Sequence, residues 1–140
     1  MNTIHFYDKQ HQTIMSFSKF NYQINEPDFH NFILFQIDVN YSFFQASINT
    51  ECLDIDLKNF LIALQKLYNL EIEKISFIQT IEKNIEMHFK LTKFGHIEIL
   101  TQLRNHIDKS ILQFEYEIDQ SFLPELIEEI QTVITHVKDN

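Results

Sequence analysis

The chain has 140 residues, a formal charge of −9, 44% hydrophobic and 22% charged residues, 14 Phe and no Trp. A chain of this length buries ~68–70% of its unfolded surface, enough to fold as one domain without metal or disulfide support. Its 11 basic residues include one Arg, Arg104, which argues against nucleic acid, because phosphate binding relies on clustered Lys and Arg. The lone Cys52 forms no internal disulfide and points to a reducing compartment.

Met1–Lys9 lacks the basic start and apolar stretch of a signal peptide. The densest apolar run, Phe32-Ile33-Leu34-Phe35, is far too short to span a bilayer. No Ser/Gly-rich linker, low-complexity tract or internal repeat divides the chain, so residues 1–140 are expected to form a single cytoplasmic α+β domain.

In chain order, Thr3–Tyr7 and Thr13–Phe17 are predicted strands joined by the polar turn Asp8–Gln12. Tyr22–Phe29, centred on Asn25-Glu26-Pro27-Asp28, is a predicted loop. Ile33, Phe35, Ile37 and Val39 alternate with Leu34, Gln36 and Asp38, the period of a strand with one buried face. Phe44, Ala46 and Ile48 continue that alternation after a tight hairpin at Asn40-Tyr41.

A helix is predicted from about Asp54 to Tyr68, capped by Asp54 or Asp56. Leu57, Phe60, Leu61, Leu64, Leu67 and Tyr68 form its apolar stripe, opposite Lys58, Asn59, Gln65 and Lys66. Its polar side lacks the basic character of a membrane-surface helix. Strands follow at Ile85–Leu91, Ile97–Leu103 and Ile111–Ile118.

The single glycine fixes a register. Ile85, Met87, Phe89 and Leu91 share one face of their strand, and Ile97, Ile99 and Leu103 share one of the next. Both sets reach one core if Lys93-Phe94-Gly95 is a three-residue loop pairing Thr92 with His96. Such a loop needs its third residue left-handed, where Gly is cheapest. This register sets Lys90 opposite Glu98 and turns Glu86, His88 and Glu98 outward. On the next strand Leu112, Phe114, Tyr116 and Ile118 point in, while Gln113, Glu115 and Glu117 point out. A closing helix is predicted from Asp119 or Ser121, with Pro124 in its first turn. Its stripe is Leu123, Leu126, Ile127, Ile130, Val133, Ile134 and Val137.

One glycine excludes phosphate-binding and dinucleotide motifs, and one cysteine excludes zinc-type Cys spacing. The seven histidines show no helical i, i+4 pair. Glu86-x-His88 and His96-x-Glu98 each place two polar groups on one strand face, a weak candidate for metal or acid–base work. Cys52 with a distant His is weaker still. No catalytic, cofactor or metal residue is expected on these patterns. From Ser110 to Val137 there is no Lys or Arg, while Glu115, Glu117, Asp119, Glu125, Glu128 and Glu129 all fall inside. An acidic surface speeds encounter with basic partners.

The span Phe32–Val137 resembles the WapI-type immunity proteins, bacterial antidotes to polymorphic or contact-delivered toxins. The resemblance is carried by the strand pair Ile33–Ile48, by Cys52-Leu53 leading into the Leu-rich helix Asp56–Leu67, and by Ile75-Ser76-Phe77-Ile78 with Glu82. It continues through Ile85–Leu91, Gly95-His96-Ile97, and Leu112-Gln113-Phe114-Glu115-Tyr116 passing into Asp119-Gln120-Ser121-Phe122-Leu123. It implies a non-enzymatic protein that neutralises a cognate toxin by non-covalent binding. The expected architecture is one curved, mainly antiparallel sheet of about seven strands with two helices on one face. The expected contact residues are Glu86, His88, Glu98, Glu115 and Glu117, facing a basic toxin domain, with no nucleic acid or membrane partner. The protein itself is expected as a monomer or weak homodimer. The alternative is a small-ligand or enzymatic site around Glu86, His88 and Glu98; a third is a homodimeric scaffold with an exposed aromatic surface.

Overall fold

The computed structural model describes residues 2–23 and 31–138, and the side chains of all of these except 137 and 138. The expected loop around Asn25-Glu26-Pro27-Asp28 and the side chain of Val137 lie outside the described set. Four strands, β1 (Ile4–Tyr7), β2 (Thr13–Gln23), β3 (Phe32–Tyr41) and β4 (Phe44–Leu53), lead into helix α1 (Asp54–Tyr68). Four more, β5 (Lys74–Ile78), β6 (Ile85–Leu91), β7 (His96–Asn105) and β8 (Ser110–Asp119), lead into helix α2 (Leu123–Lys138). Each set is an antiparallel meander, β1-β2-β3-β4 and β5-β6-β7-β8.

The α+β class holds, but one sheet of about seven strands is wrong. Among the described residues there are eight strands in two four-stranded sheets, and the order ββββα occurs twice. The strand absent from the expectation is β5. It has five residues, of which Ile75 and Phe77 are buried, and it starts a new sheet because α1 carries the chain away from β4. The repeat is topological, and the sequence shows no trace of it. Nor do the helices share one sheet face: they pack on each other, α1 also against β4 and β5, and α2 against β1 and β2.

Helix α1 starts one residue earlier than an Asp54 cap would place it. Leu53 is the N-cap, and Asp56 in the first turn accepts from the Leu53 N–H at 3.0 Å. Asp56 also accepts from Thr80 N at 3.1 Å and Thr80 Oγ1 at 2.6 Å, so the helix start is tied to the loop after β5. The helix ends as Leu70 turns to φ 61° and Glu71 N–H returns to the Lys66 carbonyl at 2.9 Å. Leu57, Phe60, Leu61, Leu64 and Leu67 are buried as expected, whereas Tyr68 is exposed. Before α2, Asp119 caps a short 3-10 turn (Gln120–Phe122) by accepting from Ser121 N at 2.9 Å. Pro124 is the second residue of α2, where its missing N–H costs nothing. Leu123, Leu126, Ile130 and Val133 are buried, and Ile127 and Ile134 partly so.

The sheets meet through aromatic contacts. Phe17 of β2 lies 6.0 Å from Phe77 of β5, and Phe60 of α1 packs on Phe77 at 4.7 Å and Phe89 at 5.7 Å. A buried polar junction joins the two sheets as well. The fully buried Gln79 donates to Thr50 Oγ1 (2.9 Å) and the Glu51 carbonyl (2.8 Å) of β4. Its Oε1 accepts from Asn84 N (2.7 Å) and Ile85 N (2.9 Å) at the start of β6. Every polar atom of that amide is satisfied, as burial demands.

The β6–β7 hairpin has the predicted register. Leu91 pairs with Ile97 and Lys90 with Glu98, and Thr92 N–H donates to the His96 carbonyl at 2.8 Å. Gly95 sits at φ +76°, and Phe94 before it is also left-handed at φ 68°. The β3–β4 hairpin turns later than expected, at Ser42-Phe43 between the paired Tyr41 and Phe44.

Candidate functional site

Strict alternation along β6, β7 and β8 turns Glu86, His88, Glu98, Glu115 and Glu117 to one surface, the outer face of the second sheet. Side chains at paired positions form rows across it. Lys74, Lys90, Glu98 and Glu117 make one row; Ser76, His88, Leu100 and Glu115 make the next; Ile78, Glu86, Gln102 and Gln113 make a third. Neighbouring rows on one face are two residues apart along each strand, so all five expected contact residues fall within a compact patch. Glu98, Glu115 and Glu117 are exposed, and Glu86 and His88 half-buried.

The patch is concave. A cavity of about 460 Å³ lies over it, lined by His88, Lys90, Glu98, Leu100, Glu115 and Glu117 together with Ile99 and Tyr116. Beside it a chain of hydrogen bonds runs along the sheet. Ser76 Oγ lies 2.7 Å from His88 Nδ1, and His88 Nε2–H donates to Glu86 Oε1 at 2.8 Å. His96 Nδ1 meets Glu117 Oε1 at 3.1 Å, so His96 reaches the far strand and not Glu86. Ser76 escaped sequence reasoning because it lies on β5. Its signal was the alternation of Ile75 and Phe77 around it.

The remaining chemistry is structural. Cys52 is buried, and burial first, then Asp56, Asp54 and Glu51, pushes its thiol well above the usual range; it is no nucleophile. His5 Nδ1 lies 2.6 Å from Glu129 Oε2, and His11 Nε2 lies 3.0 Å from Glu125 Oε2. Those two α2 carboxylates therefore tie the β1–β2 hairpin to the helix; Glu129 is largely covered there, whereas Glu125 remains exposed. Tyr7 lies among them, its hydroxyl raised by burial and then by Glu129 and Glu125. Among the described residues no group of three His, Cys, Asp or Glu is arranged to hold a metal, and no helix is long and apolar enough to cross a membrane.

Two meanders and two helices around a shared core, with the outer sheet faces polar, define a protein whose external chemistry is presented on sheet surfaces. The sequence matches the model of the immunity protein WapI-like family over residues 5–138, and the chain belongs to that family. No curated protein matches it. Among solved structures, it is similar to the plant transcriptional regulator PBF-2, with a TM-score of 0.49, 5% identity, and 98% of this chain and 89% of that chain covered. WHY1 from Arabidopsis thaliana gives 0.46 and 9% identity over 96% of this chain and 82% of that one. WHY3 from the same plant gives 0.44 and 11% over 90% and 84%.

Proposed function

We propose that this immunity-family chain neutralises a cognate toxin by direct non-covalent binding, and that the outer face of the second sheet is the surface that captures it. The observation that carries the reading is the convergence of Glu98, Glu115 and Glu117 with Glu86 and His88 on one open, concave surface within a family of immunity proteins. A basic toxin domain is the complementary partner: the carboxylates of Glu86, Glu98, Glu115 and Glu117 outnumber Lys74 and Lys90, which share this face, and a net acidic surface raises the rate of encounter with a basic one. The binding is stoichiometric and leaves the toxin chemically intact. The test is a titration of the toxin encoded beside this chain. Toxin activity should fall linearly to an end point at equimolar protein, and gel filtration should show one complex. Inactivation by catalytic amounts of protein would overturn the reading.

One observation favours a second reading, in which the face is enzymatic. Ser76, His88 and Glu86 form a continuous hydroxyl–imidazole–carboxylate chain at the edge of a cavity. The sheet supplies little to stabilise an oxyanion, because the main-chain N–H groups of β6 and β7 are engaged in the ladder. Substoichiometric inactivation abolished by Ser76→Ala would establish this reading in place of binding.

A further inference from the structure

The free edge of β8 is polar in its backbone and acidic in its side chains, and the parity of the sheet decides which residues form it. In an antiparallel ladder both main-chain groups of a residue point the same way, and the direction alternates along the strand. Thr92 N–H donates to the His96 carbonyl at 2.8 Å, and Arg104 N–H donates to the Asn84 carbonyl at 2.7 Å. The even residues of β7 therefore face β6, and the odd ones, Ile97, Ile99, Thr101 and Leu103, face β8. Their partners on β8 are Ile118, Tyr116, Phe114 and Leu112. That leaves Ile111, Gln113, Glu115, Glu117 and Asp119 with N–H and C=O pointing off the sheet. An independent contact agrees: Tyr41 Oη–H donates to the Glu115 carbonyl at 3.2 Å, from the side away from β7.

Exposed edges are normally blunted by Lys, Pro, a bulge or an overlying element. Strand β1 is four residues long and its pairing slips between Phe6 and Tyr7. Strand β5 is five residues long and has α1 packed against it. Strand β4 has uncharged Gln45, Ser47 and Asn49 along its outer edge and Gln79 on its Glu51 carbonyl. Strand β8 has ten residues, unbroken register with β7, and neither Lys nor Pro. Near its start lies an apolar cavity of about 190 Å³, lined in part by Ala46 and Ile48 of β4 and by Leu103, Ile111 and Leu112.

We infer that β8 is a docking edge, and that its occupant is an extended segment of a basic partner, added as a ninth strand with Lys or Arg at alternate positions. This deepens the proposed function and rests on it. The odd residues whose main-chain groups point off the sheet, the Glu115 carbonyl among them already accepting from Tyr41, are the ones whose side chains lie on the outer face, so cationic side chains of an added strand fall beside Glu115 and Glu117. The intervening side chains point to the other surface, toward Tyr41, Phe114 and the apolar cavity, which favours β-branched or aromatic residues there. Main-chain pairing supplies affinity and alternate side chains supply selectivity. A second copy is a poor occupant, because antiparallel self-pairing would set the Glu115 and Glu117 carboxylates of two chains together.

The test uses the whole protein and two synthetic peptides of equal composition, one alternating Lys with Val or Thr and one with its lysines contiguous. Amide exchange by NMR should show the alternating peptide protecting the N–H groups of Gln113, Glu115 and Glu117, and binding at least about tenfold more tightly than the contiguous one. Gln113→Pro removes one outward N–H without touching the β7 ladder, a change an edge strand tolerates; it should weaken the alternating peptide to the level of the contiguous one. Equal binding of both peptides without protection of those amides would overturn strand addition and leave the charged face as the contact. Protection of the same amides by self-association, without peptide, would overturn the choice of occupant. The proposed function fails separately, if equimolar protein leaves the toxin active.

Discussion

Replacing Gln79 with Met should destabilise the protein out of proportion to the change in shape. The two side chains are similar in length and volume, so no cavity term enters. Gln79 is fully buried, and its carbonyl oxygen is the acceptor for Asn84 N and Ile85 N at 2.7 and 2.9 Å. Met leaves both N–H groups, Thr50 Oγ1 and the Glu51 carbonyl without this partner. Thr50 keeps its bond to Asn84 Oδ1 at 2.6 Å, and the bond to the Glu51 carbonyl is only partly buried. The two amides are the main loss, and at ~1–3 kcal/mol for each buried unsatisfied group the cost is about 2–6 kcal/mol. Urea denaturation followed by far-UV circular dichroism measures it, with an unchanged m-value expected. A loss under about 1 kcal/mol would refute the idea that this amide joins the two sheets through the β5–β6 connection, and water or a shifted loop must then satisfy those groups.

Gly95→Val should cost at least ~1 kcal/mol, because φ is +76° and a β-branched residue resists the left-handed region; an unchanged thermal melt would contradict it. The Cβ itself would meet only Gln120 Oε1 at 3.6 Å, so the penalty is conformational and not steric. Cys52 should resist thiol labelling at pH 8 in the folded protein and react fully in denaturant; equal rates would show that it is not sealed in the core. Its folded pKa is raised above the ordinary 9.0, so the unfolded chain releases this proton first. The stability that follows from the neutral thiol is complete below pH 9 and falls above it by about 1.4 kcal/mol per pH unit until the folded thiol also ionises. Cys52→Ala should flatten that alkaline slope; an identical slope would assign the loss to other groups.

Much of the second half of the fold was legible because its residues alternate without interruption. Ile85 to Leu91 and Leu112 to Ile118 show the period directly, and one left-handed glycine fixed the register between β6 and β7. The outward placement of Glu86, His88 and Glu98 follows from that register, and that of Glu115 and Glu117 from the alternation of β8. What sequence could not give was long-range. β5 has only two buried apolar residues, too few to separate it from a loop after α1, and with it Ser76 was lost from the site. The split into two sheets is decided by α1 carrying the chain away from β4, and no local pattern encodes that. The helix α1 cap was misplaced because Asp56 works from within the first turn, and its partner Thr80 is remote in sequence. The partners of two α2 acids, His5 for Glu129 and His11 for Glu125, lie more than a hundred residues away in sequence, so no local pattern signals that these acids hold the β1–β2 hairpin.

Association kinetics test the role of the outer face of the second sheet most directly. Glu86, Glu98, Glu115 and Glu117 should be changed to Gln together, and the rate of complex formation with the toxin encoded beside this chain measured by stopped flow across ionic strength. The native protein should associate well above the ~10⁵–10⁶ M⁻¹s⁻¹ of an unsteered pair at low salt, with a steep fall as salt rises. The four-fold variant should remain folded, associate at least about tenfold more slowly and lose most of its salt dependence. An unchanged rate and an unchanged salt slope would contradict the account and remove this face from the interface.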